Sequence, residues 1–242
     1  VGDRKQTGGA DAATGAGTPT AALGAGTRTA AFGSGTRTAA FGSGTRTAAF
    51  GSLCIFCGSA VGARGAYATA AEEMAEQLAR RGTRLVYGGG NIGLMGVVAD
   101  AALARGVHVT GIIPTGLAER ELAHHGVSDL RVVESMHARK AMMAELSDGF
   151  VAMPGGIGTF EEWFEVLTWS QLGMHRKPCG LLNVEGYYDD LLALLDRSVA
   201  EGFLKQKHRA KVLVDADAGR LLDAMQAYEP LAEPAVLGKF ET

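Results

Sequence analysis

Residues Met153 to Glu162 read Met-Pro-Gly-Gly-Ile-Gly-Thr-Phe-Glu-Glu, a glycine-rich turn followed at once by two carboxylates. It lies between an apolar stretch and an amphipathic one. Gly155, Gly156 and Gly158 let backbone approach an anion closely, and the first N–H groups of a helix beginning here have no partners of their own. Phosphate binding is the chemistry this favours. Glu161 and Glu162, at the start of that helix, then stand beside whatever the phosphate carries. If that is a nucleotide, a carboxylate can act on the ribose or its glycosidic bond. The plainer reading of either glutamate is an acid that suits the positive end of a helix.

A second group, Met136-His-Ala-Arg-Lys140, opens another helix. Arg139 can hold a phosphate or carboxylate in a planar fork, and Lys140 adds a flexible point charge. An isolated Arg-Lys pair is usually only solvated surface charge, so the position of this one matters.

The elements that place these residues follow from the apolar pattern. Short apolar runs alternate with helical periodicity from Leu53 onward, which predicts an α/β fold: a Rossmann-like, doubly wound parallel sheet. Strands are expected at Leu53–Cys57, Arg84–Tyr87, Val107–Ile113, Leu130–Val133, Gly149–Met153, Cys179–Asn183 and Val212–Val214. Helices are expected at Tyr67–Arg81, Gly93–Arg105, Met136–Ser147, Thr159–Leu172, Tyr188–Glu201 and Ala218–Ala227. Ligands of such sheets bind outside the carboxyl ends of the strands. Three glycine-bearing loops fall there: Cys57-Gly-Ser59, Gly88 to Gly96 and Pro154 to Thr159. Arg139 and Lys140 share that edge.

Within the helix after the glycine turn, Trp163, Val166, Leu167 and Ser170 form an i, i+3, i+4, i+7 stripe, with Phe164 and Trp169 beside it. These read as core or subunit-interface residues. Thr168, about one and two-thirds turns beyond Glu162, borders the stripe and is a candidate substrate contact.

Several other chemistries lack their residues. The first strand-to-helix turn carries no Gly-x-Gly-x-x-Gly, and no acidic residue follows the second strand to hold a ribose hydroxyl, which argues against NAD or FAD. The Gly-x-x-x-x-Gly-Lys-Ser/Thr loop and the Gly-x-Ser-x-Gly elbow are missing too. Cys54 and Cys57 are three apart on a strand and face opposite sides, so they read as buried structural cysteines. His124, His125 and His137 have no zinc spacing and read as surface or packing residues. The residues therefore imply no metal and no cofactor.

The chain has 242 residues, 47% hydrophobic and 20% charged, which fits one folded domain. A net charge of −3 gives no footprint for nucleic acid or an anionic membrane surface. No run of about 18 apolar residues offers a membrane span, and three cysteines make no disulfide framework. A cytoplasmic protein acting on a small molecule is expected. Residues 1–52 are different material: a nine-residue unit, Ala-Ala-Phe-Gly-Ser-Gly-Thr-Arg-Thr in its commonest form, recurs through Ser52. One large apolar residue per unit buries too little surface to offset the entropy of ordering the chain. A low-complexity, disordered extension is expected there, followed by a domain over 53–230 and a tail over 231–242.

From about Leu53 to about Ala227 the chain resembles the LOG (Lonely guy) family, the cytokinin riboside 5′-monophosphate phosphoribohydrolases. The resemblance rests on Cys57-Gly-Ser59, on Val86-Tyr-Gly-Gly-Gly90 with Gly93-Leu-Met-Gly96, on Met136 to Lys140, and on the Pro-Gly-Gly-x-Gly-Thr-x-x-Glu signature filled by Pro154 to Glu162. It implies hydrolysis of the N-glycosidic bond of an N6-substituted adenosine 5′-monophosphate, by a homodimer or larger assembly. Carried over by position, Arg139 and Glu162 are the catalytic pair. Glu121, Lys140, Gly155, Gly156, Ile157, Gly158, Thr159, Thr168, Ser59, Gly89, Gly90 and Met136 are the implied substrate contacts. Sequences of this kind often carry the label lysine decarboxylase, but the lysine and cofactor constellation of that reaction is not found here. Two other readings stay open: a general AMP nucleosidase, and a nucleotide carrier or sensor without turnover. A pure binder needs the phosphate loop but not the carboxylate, which argues against the carrier.

Overall fold

The computed structural model describes residues 50–118 and 122–230. The expected extension over 1–52 and the tail over 231–242 thus lie almost wholly outside the described residues. Among the described residues there are seven strands: β1 Ser52–Phe56, β2 Arg84–Tyr87, β3 Val109–Pro114, β4 Asp129–Val133, β5 Phe150–Ala152, β6 Cys179–Leu182 and β7 Val212–Asp215. They form one parallel sheet in the order β4-β3-β2-β1-β5-β6-β7. The helices are α1 Gly65–Arg81, α2 Gly93–Ala104, α3 Thr115–Ala118, α4 Met136–Glu145, α5 Ile157–Gln171, α6 Asp189–Ala200, α7 Gln206–Arg209 and α8 Ala218–Gln226. None is long and apolar enough to cross a membrane.

The strand order states the winding. From β1 the chain steps outward to β4 with α1 and α2 on one face, and α4 then returns it to β5 on the other side of β1. Side chains at alternate strand positions point to opposite faces, so two cores form. Leu53 and Ile55 pack with Met74 and Leu78 of α1, Val98 of α2 and Leu221 of α8. Cys54, Phe56 and Phe150 pack with Met143 of α4, Trp163 and Val166 of α5 and Leu195 of α6. Cys54 and Cys57 fall in different cores, as a strand spacing of three requires, and burial pushes both thiols up.

Every expected strand and helix is present, with ends shifted by no more than two residues. Local hydrogen bonding accounts for two of the shifts. The third strand begins at Val109 because the Val107 N–H is spent on the Ala102 carbonyl, closing α2 over Gly106 in the left-handed region. Helix α5 begins at Ile157, since Phe160 N–H already reaches the Gly156 carbonyl. Sheet pairing opens at Ser52, and Phe50 packs against the first core while Gly51 and Ser52 both donate to Asp148 Oδ2 at 2.9 and 3.0 Å. Phe50, Gly51 and Ser52, the described end of the repeat, thus belong to the fold.

Candidate functional site

The chain reverses direction across the sheet between β1 and β5, and the loops leaving these two strands meet there. Gly58 N–H donates to the Pro154 carbonyl at 3.1 Å, and Leu94 N–H, from the first turn of α2, donates to the Gly58 carbonyl at 3.0 Å. This close approach demands glycine. A Cβ at Gly155 would fall 2.1 Å from Thr159 Oγ1, and one at Gly93, whose φ is +61°, only 2.2 Å from the Ser59 backbone. A cleft of about 220 Å³ opens beside the joined loops, with Ser59, Gly155 and Gly156 in its wall. A larger hollow beside His175 and Lys177 receives none of these loops.

Gly156 caps α5, and the helix start is open to solvent: Gly156, Ile157 and Gly158 are exposed, while Thr159 is buried. First-turn N–H groups have no intrahelical acceptor and carry the positive end of the helix dipole. Farther along, the two glutamates part company. Glu161 is exposed and accepts from Lys140 Nζ at 2.5 Å, and Glu165 accepts from the same ammonium at 3.0 Å. Burial pulls the Lys140 ammonium down, but the hydrogen bonds to Glu161 and Glu165 outweigh it and raise it overall. Thr168, exposed and seven residues beyond Glu161, lies on that same helical stripe.

Glu162 turns the other way, into the protein, and meets Arg139. Both are buried, and Arg139 Nη1 donates to Glu162 Oε1 at 2.6 Å. The guanidinium is held on two further sides, its Nε donating to the Ile112 carbonyl at 3.1 Å and its Nη2 to the Gly88 carbonyl at 3.3 Å. Helix α4 aims Arg139 from its first turn, and Ser135 Oγ fixes that turn by accepting from Ala138 N–H at 3.1 Å. Burial raises the Glu162 carboxyl above the ordinary carboxylate value despite the opposing pull of Arg139. An ionisable carboxylate with a raised pKa, pinned by one cation on the helix that the glycine turn opens, is equipped for acid-base work or for stabilising positive charge.

Gly88 matters for a reason its place in a glycine run does not reveal: a Cβ there would lie 1.9 Å from Arg139 Nη2. Gly88→Ala is expected to push the guanidinium off Glu162 and to lower catalysis on the order of 10²-fold through misplacement of this pair. Steady-state kinetics beside a thermal melt check this.

Of the other expected contacts, Gly89 and Gly90 lie on the loop after β2. That loop is tied to residues 122–124 by His124 N–H to the Gly89 carbonyl at 2.9 Å and by Asn91 N–H to the Leu122 carbonyl at 3.0 Å. Glu121 lies outside the described residues. Met136 is exposed at the start of α4. His124 pairs with Asp100 at 2.9 Å, and His125 and His137 are exposed. Trp163, Val166, Leu167 and Ser170 are all buried, and Trp163 Nε1 donates to the Gly180 carbonyl at 3.2 Å, so the stripe is core. Sequence reasoning gave no role to Tyr187 and Tyr188, which reach the glycine turn from the turn after β6, the strand beside β5; their signals were an aromatic pair after a turn and a stretch, Leu181 to Tyr188, that looks like the family.

A family model described as possible lysine decarboxylase matches residues 95–225. The chain is 51% identical over 179 residues to a probable cytokinin riboside 5′-monophosphate phosphoribohydrolase of Oryza sativa subsp. japonica, covering 74% of this chain and 79% of that one. It is 48% identical over 178 residues to a cytokinin riboside 5′-monophosphate phosphoribohydrolase of Arabidopsis thaliana, covering 74% and 84%. Among solved structures, the molybdenum cofactor carrier protein of Chlamydomonas reinhardtii shares the fold, with a TM-score of 0.56 at 22% identity over 73% of this chain and 96% of that one. With about half of the aligned residues identical across most of the length of such relatives, the chain belongs to the LOG family of phosphoribohydrolases.

Proposed function

We propose that the protein hydrolyses the N-glycosidic bond of N6-modified adenosine 5′-monophosphates, giving the free base and ribose 5-phosphate. The observation that carries this is the buried Arg139–Glu162 pair beside the open start of α5, in a chain about half identical to phosphoribohydrolases. The amides of Gly156 to Thr159 take the 5′-phosphate, as helix starts do. Phosphate anchored there leaves the sugar within reach of the Glu162 carboxylate. As the bond from the anomeric carbon to the base nitrogen breaks, positive charge builds on the sugar and a carboxylate stabilises it. Water adds its oxygen to the anomeric carbon and its proton ends on the base. Glu162 passes that proton in this reading, and its raised pKa suits the task.

Arg139 keeps Glu162 from drifting and holds its charge in a site poor in water. Lys140 acts here through Glu161 and Glu165, locking α4 to α5 so that Arg139 and Glu162 stay in register. The family resemblance extends the proposal to a homodimer, and the composition of the chain extends it to the cytoplasm.

The test is chromatography of the purified protein incubated with N6-isopentenyladenosine monophosphate and, separately, with AMP. Free base and ribose 5-phosphate should appear in equal amounts, faster from the modified nucleotide. No base release from either nucleotide overturns the proposal, and equal rates turn it into a general AMP nucleosidase.

A further inference from the structure

Between β6 and α6 the chain makes a strained turn. Glu185 is the only non-glycine residue with a positive φ, 53°, among the described residues, and Gly186 follows at 71°. A side chain in that region costs on the order of 1 kcal/mol and persists only when its surroundings impose it. Asn183 imposes it here: its Oδ1 accepts from Tyr188 N–H at 2.7 Å and its Nδ2 donates to Asp189 Oδ1 at 2.7 Å. What the turn delivers is two successive tyrosine hydroxyls to one stretch of backbone. Tyr188 donates to the Met153 carbonyl at 2.7 Å, and Tyr187 donates to the Gly155 carbonyl.

Together with Gly58 N–H on the Pro154 carbonyl, three successive carbonyls, those of residues 153, 154 and 155, are each held by a protein donor. The peptides are trans, so each carbonyl points opposite to the N–H of the next residue. Fixing the Gly155 carbonyl therefore fixes the direction of the Gly156 N–H, the amide that opens α5. Fixing the Met153 carbonyl orients no donor at all, because the next residue is Pro154. Of the two tyrosines, only Tyr187 controls an amide of the glycine loop. It also lines the cleft beside Gly155 and Gly156 and is braced there edge-on by Tyr67, with ring centroids 5.8 Å apart.

We propose that Tyr187 is a positioning residue that aims the Gly156 amide at the substrate phosphate and thereby sets the preference for a nucleoside monophosphate over the nucleoside. This rests on the glycine loop being the phosphate seat. Removing the hydroxyl leaves the ring contacts in place and frees the Gly155 peptide to rotate. Loss of one such hydrogen bond weakens phosphate binding on the order of three- to tenfold.

The experiment is calorimetric titration of full-length Glu162→Gln and Glu162→Gln/Tyr187→Phe with AMP and with adenosine. The background substitution prevents turnover during the titration. AMP affinity should fall about three- to tenfold, with adenosine unchanged within about twofold. With Glu162 restored, Tyr187→Phe should raise KM for the monophosphate by the same factor at unchanged kcat. Tyr188→Phe in the same background should lower the melting temperature without a selective loss of AMP. Equal weakening of both ligands, unaltered AMP binding, a loss confined to kcat, or a matching AMP-selective loss in Tyr188→Phe overturns the proposal. If Tyr187→Phe weakens AMP selectively but the unsubstituted protein releases no base, the hydrolase reading fails and the positioning role stands.

Discussion

Glu162→Gln is expected to leave the protein folded and to lower base release on the order of 10³-fold, the scale of losing a group that stabilises charge or transfers a proton in the transition state. The amide is nearly isosteric and its oxygen can still accept from Arg139, so the α4–α5 contact survives; what disappears is the charge and the exchangeable proton. Glu161→Gln, which removes an exposed partner of Lys140, should cost little by comparison. A Glu162→Gln enzyme with near-native turnover would sink the assignment of Glu162.

The same substitution has a pH signature. Burial raises the Glu162 carboxyl in the folded state, so the folded protein binds this proton more tightly than the unfolded chain. Stability from that proton is complete below the ordinary carboxylate value and is lost as pH rises through the raised one. Wild-type protein should therefore lose ground to Glu162→Gln as pH climbs across this interval, and the difference should then level off. Catalysis that needs the ionised carboxylate should show its acid limb above the ordinary carboxylate range. Thermal melts and kcat/KM profiles across pH read the two effects separately.

Arg139→Ala should be as damaging to catalysis and worse for folding. It strands a carboxylate in the interior and leaves the Gly88 and Ile112 carbonyls without their donor. Breaking a buried ion pair from one side costs about 3–5 kcal/mol. Part of this is recovered by proton uptake, so a loss of about 3 kcal/mol at neutral pH is expected, or about 6–12 °C in melting temperature for a domain of this size. The sign with pH follows from the charges. Arg139 lowers the Glu162 pKa; without it the carboxyl rises further, the acid limb moves to higher pH, and the stability deficit shrinks as pH falls. Arg139→Lys should not restore activity, because one ammonium cannot reproduce the three directed contacts of the guanidinium. Full activity in the lysine variant would show that charge alone suffices.

The fold was legible because it rests on periodicities that are local. Apolar runs such as Leu53 to Phe56 and the stripe Trp163, Val166, Leu167 and Ser170 are written in consecutive residues, and a helix or strand obeys them wherever it sits. The third strand's start moved because the Val107 N–H had a better acceptor nearby. Gly155, too, was recognisable as backbone that something approaches closely, although the sequence could not say that the neighbours are Thr159 and Gly58.

The division of labour between the adjacent glutamates was beyond any local signal. Successive helix positions differ by about 100°, and which one faces inward depends on what α5 packs against. Resemblance favoured Glu162; the structure turns Glu161 out to Lys140 and Glu162 in to Arg139. Lys140, expected at the nucleotide, has its ammonium on two carboxylates, a pairing across 21 and 25 residues that no spacing rule anticipates.

By itself, then, the sequence determined the doubly wound sheet, the edge on which its glycine loops gather, and the residue types available for chemistry there, because these follow from repeats within one element. Tertiary structure alone decided the partners: Gly88 yielding space to a guanidinium 51 residues away, and Tyr187 holding a carbonyl 32 residues back. Such contacts depend on how separate elements pack, and the order of the chain does not record which of its many surfaces will meet.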